Sequence, residues 1–281
     1  MQIALFPNLD KSDAKKIAIA IREFCEKKGA RVAAPQKVAS LIGAQELEGL
    51  SPKAIDFRIT LGGDGTILKM VHEFPEIEAP LLGINHGSLG FMADTTLSEI
   101  EASLSDLFSK NYSIEERLML EGTGSEKRRP VFAINEFIIH RARNPCLVDL
   151  AIELDDQYIN TFSADGIILS TPNGSTAYSM AAGGPIVTPD LKCVVLTPIC
   201  PHTISNRPIV LMPKQGMKIT YLSSHEPVDV IADGFPVHTL STGSFFQITP
   251  SKRSFRCVNL PRHNFFSTLR SKLGWLGKVK I

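Results

Sequence analysis

The chain has 281 residues, of which 43% are hydrophobic and 21% are charged, a balance typical of a globular protein with a substantial core. Its formal net charge of +1 produces no strong field, which argues against nucleic acid or an anionic membrane as a partner. Five scattered cysteines without a Cys-x-x-Cys spacing favour free thiols in a reducing compartment, so we expect a cytoplasmic protein.

The first third of the chain predicts alternating strands and helices. A strand at 2–6 precedes a helix that we expect to be N-capped by Ser12 and to end at Gly29. Further strands are predicted at 31–34, 57–61 and 80–84, and further helices at 66–74 and 98–108. This order indicates a parallel α/β domain, in which ligands bind at the carboxyl ends of the strands.

A change of sequence texture near Lys110 marks the expected domain boundary. Short β-rich segments follow, separated by turn residues, at 131–140, 148–154, 167–170, 193–197, 217–222, 228–231 and 245–249. They are typical of a β-sandwich or a related two-sheet domain, and a last helix is expected at about 264–273. We predict an α/β N-terminal domain of residues 1–110 plus about 263–281, and an all-β sandwich-like C-terminal domain of residues 111–262.

The loop Leu61-Gly62-Gly63-Asp64-Gly65-Thr66 follows a predicted strand and carries one acid among three glycines. Glycines let a backbone approach phosphate oxygens closely, whereas a carboxylate would repel that anion. An acid here therefore suggests a metal ligand or an acceptor for a hydroxyl proton, and the pair of features suggests phosphoryl transfer to an alcohol. The alternative is a tight turn with Asp64 as an N-cap. Lys69, one turn into the helix, either binds an anion or lies on the solvent-exposed face of the helix.

Two further segments carry candidate binding residues. The pair Asn135-Glu136 lies between apolar runs, where polar groups need partners, and it suits a ribose or a base edge. The alternative is a β-bulge or an edge position. The run Asp165–Pro185 contains many small polar residues, and Tyr178 can stack on a flat base. The alternative there is a tightly packed turn with Tyr178 in the core. Prolines and glycines in the overlapping uncharged stretch 166–189 also exclude a membrane helix.

Together these segments resemble the NAD kinase family in its bacterial form. Those that carry the likeness occur in the family's order: Gly62–Thr66, Leu82–Asn85 with Leu89–Phe91, Asn135-Glu136, Asp165–Pro185, Arg207-Pro208, Asp233-Gly234 and Leu273–Trp275. The glycine loop alone also occurs in lipid kinases and phosphofructokinases, whereas its combination with the other segments is highly specific. The turn Asp233-Gly234, taken by itself, is interpreted as an ordinary hairpin turn.

The resemblance implies ATP-dependent phosphorylation of the 2′-hydroxyl of the adenosine ribose of NAD, which gives NADP. It implies ATP as the phosphoryl donor, with inorganic polyphosphate as an alternative, and a divalent metal ion such as Mg²⁺, whose ligands remain unassigned. It also implies a homo-oligomer, either a dimer or a tetramer.

The same resemblance assigns roles to individual residues. Asp64 is the proton acceptor, and the phosphates of ATP are held by a loop formed by Gly62, Gly63, Gly65 and Thr66. Asn135 and Glu136 hold the ribose of the NAD adenosine. The full expected NAD-binding set is Asp64, Gly65, Lys69, Asn135, Glu136, Asp165, Thr176, Ala177, Tyr178, Ser179 and Ala181.

Four positions depart from the family's pattern. Ser88 replaces a frequent Arg, Asn173 a frequent Thr, Ala181 a frequent Ser and Phe235 a frequent Gln, so contacts at these positions are expected to differ. Three rival functions remain open from the residues: a lipid kinase, a dinucleotide-dependent oxidoreductase and a catalytically silent NAD-binding regulator. The oxidoreductase would need a complete dinucleotide fingerprint, whereas here Leu68 stands where a small residue belongs.

Overall fold

The computed structural model describes residues 1–125, 129–203 and 205–275, so residues 276–281 of the predicted first domain lie outside the described part. The chain divides into two compact units. The first comprises Met1–Glu116 and the chain from Arg256 onward, and the second comprises Arg117–Phe255. The expected fold class, an α/β N-terminal domain followed by a β-sheet domain, is confirmed.

The first unit is built on a parallel sheet. Its strands and helices are β1 Gln2–Pro7, α1 Ala14–Lys27, β2 Arg31–Ala34, α2 Gln36–Ile42, β3 Gln45–Glu46, β4 Phe57–Gly62, α3 Asp64–Glu73, β5 Leu81–Asn85 and α4 Ile100–Ser109. The strands lie side by side in the order β3-β2-β1-β4-β5, and each pair is parallel. The order of the strands in the sheet therefore reverses between β1 and β4. This topological switch point is where ligands bind in such sheets.

Helix α1 shows why this part of the chain folds as it does. Its residues Ala14, Ala18, Ile21 and Cys25 recur at helical spacing and are buried. They belong to the same core cluster as the residues of β1. The helix therefore covers one face of the sheet and leaves the carboxyl ends of the strands free.

The second unit consists mainly of antiparallel strands. Strand β6 Ser113–Gly124 begins in the first unit and continues into the second. The other elements are β7 Val131–Ala133, β8 Glu136–His140, β9 Val148–Leu154, β10 Gln157–Ala164, β11 Gly166–Ser170, α5 Tyr178–Ala181, β12 Val194–Ile199, β13 Ile209–Leu211, β14 Met217–Tyr221, β15 Val228–Ala232 and β16 Phe235–Leu240. One sheet has the order β13-β12-β11-β8-β15-β16. The last strand, β17 Phe245–Asn259, extends past Phe255, and helix α6 Phe265–Leu273 follows it.

The core of the second unit lies between two layers of strands. Phe137 and Ile167 come from the sheet that contains β8 and β11. Leu150 and Ile219 come from β9 and β14, which pair with β10 and β17 in the other layer. All four side chains are fully buried in one cluster, as expected for a sandwich of two sheets.

Several local predictions were wrong. The residue before α1 is Asp13, in a left-handed conformation, so Ser12 is not the N-cap. Helix α3 begins at Asp64 rather than Thr66, and its N-cap position is Gly63. The segment 131–140 is two strands, interrupted at Ile134-Asn135 because Asp233 binds the N–H groups there. No helix in the described part of the chain is long and apolar enough to cross a bilayer.

Candidate active site

The glycine-rich loop connects β4 to α3 at the carboxyl end of the sheet. A side-chain Cβ built at Gly63 or at Gly65 would meet no protein atom within 4 Å, so packing against the protein does not require glycine at either position. The first N–H groups of a helix also lack partners within the helix and carry a partial positive charge. The N–H of Thr66 already donates to the carbonyl of Gly63 at 2.9 Å, so what this loop offers a phosphate group is open space at Gly63 and Gly65 beside the start of a helix.

The carboxylate of Asp64 is half-buried and bonded to a neighbouring loop. Its Oδ2 accepts from the N–H of Phe91 at 2.8 Å, and its Oδ1 accepts from those of Met92 at 3.1 Å and Ala93 at 2.9 Å. A Cβ at Gly90 would collide with this carboxylate, which explains the glycine at that position. A carboxylate has about four acceptor sites, so these bonds leave it able to accept from one more donor, such as a hydroxyl.

A cavity of about 540 Å³ lies beside the same loop. The predicted residues Gly65, Thr66 and Lys69 line it, together with residues that follow the ends of β1 and β2. Sequence reasoning missed these additional lining residues, among them Asn8, Leu9, Asp10, Pro35, Lys37 and Phe74. The rule that ligands bind at the carboxyl ends of strands would have found Asn8 and Pro35, because each directly follows a strand.

Lys69 is exposed, and its Nζ lies 3.7 Å from Oε1 of Glu73 one turn further along α3. Exposed ion pairs of this kind contribute little to stability, so the ammonium group can leave Glu73 for an anion at low cost. Its position on the cavity wall is compatible with the predicted contact to a ligand.

In the second unit, Asn135 and Glu136 are both buried at the start of β8. The carboxylate of Asp233 accepts from the N–H groups of Ile134, Asn135 and Glu136 at 2.8, 2.7 and 3.1 Å. Sequence reasoning treated Asp233 as part of an ordinary hairpin turn and missed this role. The donors are 97 to 99 positions away in the chain, so no local pattern reveals the contact.

The buried Glu136 carboxyl has a raised pKa and an oxygen atom without a hydrogen-bond partner among the described residues. Burial first, and the nearby negative charge of Asp233 second, raise its pKa to about 8. Its Oε2 is buried without a hydrogen-bond partner among the described residues. Such an atom is costly to leave unpaired, and a ligand hydroxyl would supply the missing partner.

Asn173, one of the four departures, has a defined structural role. Its Nδ2 donates to Oδ1 of Asn135 at 2.7 Å, and its Oδ1 accepts from Arg117 at 2.6 Å. The shorter Thr that is frequent in the family has no amide with which to make this pair of bonds. The substitution therefore fixes the Asn135 side chain from the turn that follows β11.

The remaining predicted residues follow β10 and β11. Asp165 forms an ion pair with Arg141, whose Nε lies 2.7 Å from its Oδ1. Tyr178 is 41% exposed, which excludes the alternative of a core tyrosine. Ser179, in contrast, is buried with its hydroxyl 2.8 Å from that of Thr197.

Three other members of the predicted set lie beside these residues. Thr176 and Ala177 are half-buried, and Ala181 is exposed at the end of α5. Ala177 has an N–H group that donates to the carbonyl of Gly174 at 2.8 Å. These residues border the short turn that opens α5, so they share the neighbourhood of Tyr178.

Comparison with known proteins decides the family. Residues 3–112 match the ATP-NAD kinase N-terminal domain, and residues 134–260 match the ATP-NAD kinase C-terminal domain. The chain is 54% identical over 279 residues to an NAD kinase of Protochlamydia amoebophila, covering 99% of this chain and 100% of that protein. The chain belongs to the NAD kinase family. The expected enzyme, an ATP-dependent kinase acting on NAD, is thereby confirmed.

Other members of the NAD kinase family support the same conclusion. An NAD kinase of Syntrophotalea carbinolica is 34% identical over 281 residues, covering 98% of each chain. The crystal structure of yeast NADH kinase complexed with NADH has a TM-score of 0.88 at 25% identity and covers 100% of this chain and 89% of that one. An NAD kinase from Archaeoglobus fulgidus in complex with ATP has a TM-score of 0.76 at 24% identity, covers 99% of this chain and 100% of that one, and supports the fold.

Proposed function

We propose that this protein transfers the γ-phosphoryl group of ATP to the 2′-hydroxyl of the adenosine ribose of NAD, with Asp64 receiving the hydroxyl proton. The observation that carries the proposal is a carboxylate held by three N–H groups, with an acceptor site to spare, at the glycine loop of a parallel sheet. In the reaction the bond between O2′ and phosphorus forms, the bond from phosphorus to the ADP oxygen breaks, and the O2′ proton passes to Asp64.

The donor nucleotide occupies the cavity of the first unit in this proposal. The loop of Gly62, Gly63, Gly65 and Thr66 holds its phosphates at the start of α3, and Lys69, which also belongs to the expected NAD-binding set, adds a positive charge there. A volume of about 540 Å³ lies in the range of sites for small molecules. Phosphoryl transfer depends mainly on positioning and on stabilisation of charge, which a fixed loop of this kind supplies.

The acceptor is assigned to residues of the second unit. Glu136 and Asn135 bind ribose hydroxyls, and Tyr178 stacks on the adenine. Three facts support this assignment: the unpaired Oε2 of Glu136, the anchored side chain of Asn135 and the exposed ring of Tyr178. The side of the site that faces the adenine is formed by Asp165, Thr176, Ala177 and Ala181. The hydroxyl of Ser179 is hydrogen-bonded to that of Thr197 and so holds α5 in place.

A divalent metal ion enters the reaction with the donor, as ATP·Mg²⁺. Among the residues that the structure describes, no group of three or more His, Cys, Asp or Glu side chains could hold a metal ion. Mg²⁺ is commonly held by substrate phosphates with few protein ligands. A metal ion bound with the donor phosphates would neutralise charge on the transferred group.

The direct test is analysis of the products. The purified protein is incubated with NAD, ATP and Mg²⁺, and the nucleotides are separated by chromatography. We expect NADP and ADP in equal amounts, and no NADP when ATP is left out. Binding of NAD without consumption of ATP would instead identify a silent regulator and would contradict the proposal. Parallel reactions with polyphosphate as donor and NADH as acceptor define the substrate range.

The cellular setting is part of the same proposal. The scattered free cysteines suit a reducing compartment, so the protein acts in the cytoplasm. It acts as a homo-oligomer, a dimer or a tetramer. Light scattering of the purified protein tests this, and a monomer at working concentration would contradict it.

A further inference from the structure

Asp233 is buried, with 6% of its surface exposed, in the turn between β15 and β16. Its φ of 50° and the φ of 87° at Gly234 are sufficient for a two-residue turn. The turn itself therefore does not require the three bonds that this carboxylate accepts from residues 134–136. Those bonds replace strand pairing at the break between β7 and β8.

We propose that Asp233 is a positioning residue for the NAD site, which fixes the backbone of Asn135–Glu136 and acts through its charge on the Glu136 carboxyl. This inference rests on the proposed function, since NAD is the ligand. Asp233 also donates from its own N–H to the carbonyl of Glu136 at 3.1 Å, so the two residues are joined in both directions.

The electrostatic part follows from the surroundings of Glu136. Burial comes first, and among the described charges Asp233 is the one that acts on it. The neighbouring strand β11 places the uncharged Ser170 opposite Glu136, and the buried cation Arg117 donates to Asn173. Replacing Asp233 by a neutral residue should therefore lower the pKa of Glu136 from about 8 toward the ordinary value for glutamate.

The chain offers a matched control for the loss of such a carboxylate. Asp155 lies in the turn between β9 and β10, and it accepts from the N–H groups of Lys214, Gln215 and Gly216 at 3.1, 2.6 and 3.0 Å. Asp155→Asn thus removes the same kind of anchor in the same unit without touching the Asn135–Glu136 pair. If Asp233 had only a structural role, Asp233→Asn and Asp155→Asn would change the affinity for NAD and its pH dependence to the same extent.

The experiment measures the dissociation constant of NAD by calorimetry from pH 6 to pH 9. In the wild type we expect the affinity to change through a midpoint near pH 8, where Glu136 titrates. Asp233→Asn should weaken binding about tenfold at pH 7, since buried N–H groups lose a charged acceptor, and should move the midpoint to lower pH. Asp155→Asn should leave both quantities unchanged, and Glu136→Gln should remove the midpoint.

A second variant, Asp233→Gly, tolerates the φ of 50° and places no amide N–H against these backbone donors, so it guards against a folding defect specific to the first. The inference would be overturned if the dissociation constant of NAD varied with pH in either Asp233 variant as it does in the wild type. It would also be overturned if Asp155→Asn moved the midpoint as far as Asp233→Asn does. Failure of the wild type itself to bind NAD would contradict the proposed function, and that result is obtained before any variant is compared.

Discussion

Among the residues that the structure describes, three aspartates share one hydrogen-bonding arrangement, in which the carboxylate accepts from the N–H groups of three consecutive residues. Asp64 holds residues 91–93, Asp155 holds residues 214–216 and Asp233 holds residues 134–136. A carboxylate used in this way fixes a segment that no strand or helix would otherwise hold. Two of these segments belong to the candidate active site: residues 91–93 contact the proposed base Asp64, and residues 134–136 include the Asn135-Glu136 pair.

Tyr178 provides a test at the residue scale. Its ring is 41% exposed, so its removal should have little effect on folding, whereas loss of stacking on adenine should weaken binding. Stacking of a base is worth about 1–3 kcal/mol, so Tyr178→Ala should raise the dissociation constant of NAD about tenfold or more.

The control for this substitution is Tyr158→Ala. Tyr158 is also exposed, at 64%, and it lies on β10 with its hydroxyl 2.9 Å from that of Thr161. Calorimetry with NAD should show no change for this variant. Equal affinities for Tyr178→Ala and the wild type would rule out stacking.

At the scale of elements, the loop between β5 and α4 is held from two sides within the first unit. Asp64 binds its residues 91–93, and His263, in the segment before α6, lies 3.2 Å from Asp94. The ring of Phe91 also packs against Phe265 of α6, with ring centroids 6.1 Å apart. The end of the chain thus supports the loop that contacts the proposed base.

This support should depend on pH. Burial lowers the pKa of His263, but the hydrogen bond to Asp94 and the charges of Asp94 and Glu99 outweigh burial and Arg262, and they raise it above its ordinary 6.5. A raised pKa means that the protonated form is the stabilising one. The contribution is therefore complete below pH 6.5 and is lost as pH rises through the folded-state pKa.

We expect His263→Asn to lower the free energy of unfolding by about 1 kcal/mol at pH 6 and by less at pH 8 or above. Urea unfolding at both pH values measures this difference. His225→Asn replaces an exposed histidine and should cost little at either pH. A loss for His263→Asn that is larger at pH 8 than at pH 6 would contradict the expected sign.

The elements that the sequence predicted share one property, a clear pattern of buried apolar residues. In helix α1 the buried residues recur at helical spacing, whereas strands β1, β4 and β5 are buried at every position and so form continuous, mainly apolar runs. Strands β6, β10 and β16 were missed because they are partly exposed and carry polar or charged residues. Strand β13 was missed because its apolar run has only three residues, too few to show a pattern.

The same distinction applies to the candidate site. The glycine loop and the Asn135-Glu136 pair are local features and could be found from the residues. Their partners could not, because Phe91, Met92 and Ala93 are 27 to 29 positions from Asp64, and the pair is nearly a hundred positions from Asp233. Only a folded structure brings such residues together.

At the scale of the whole molecule, the proposed chemistry is divided between the two units. The first unit supplies the donor cavity and the acid, and the second supplies the anchored polar pair and the exposed tyrosine. Turnover therefore requires features of both units, whereas binding of NAD should depend mainly on the second. This difference allows the role of the acid to be measured separately from the binding of the acceptor.

The most direct measurement compares Asp64→Asn with the wild type. The rate of NADP formation from enzyme saturated with ATP, Mg²⁺ and NAD is measured together with the dissociation constant of NAD. Loss of a general base typically costs about 10²–10⁴-fold, so we predict a rate lower by that factor with NAD affinity changed less than about threefold. A variant that forms NADP at nearly the wild-type rate would contradict the account.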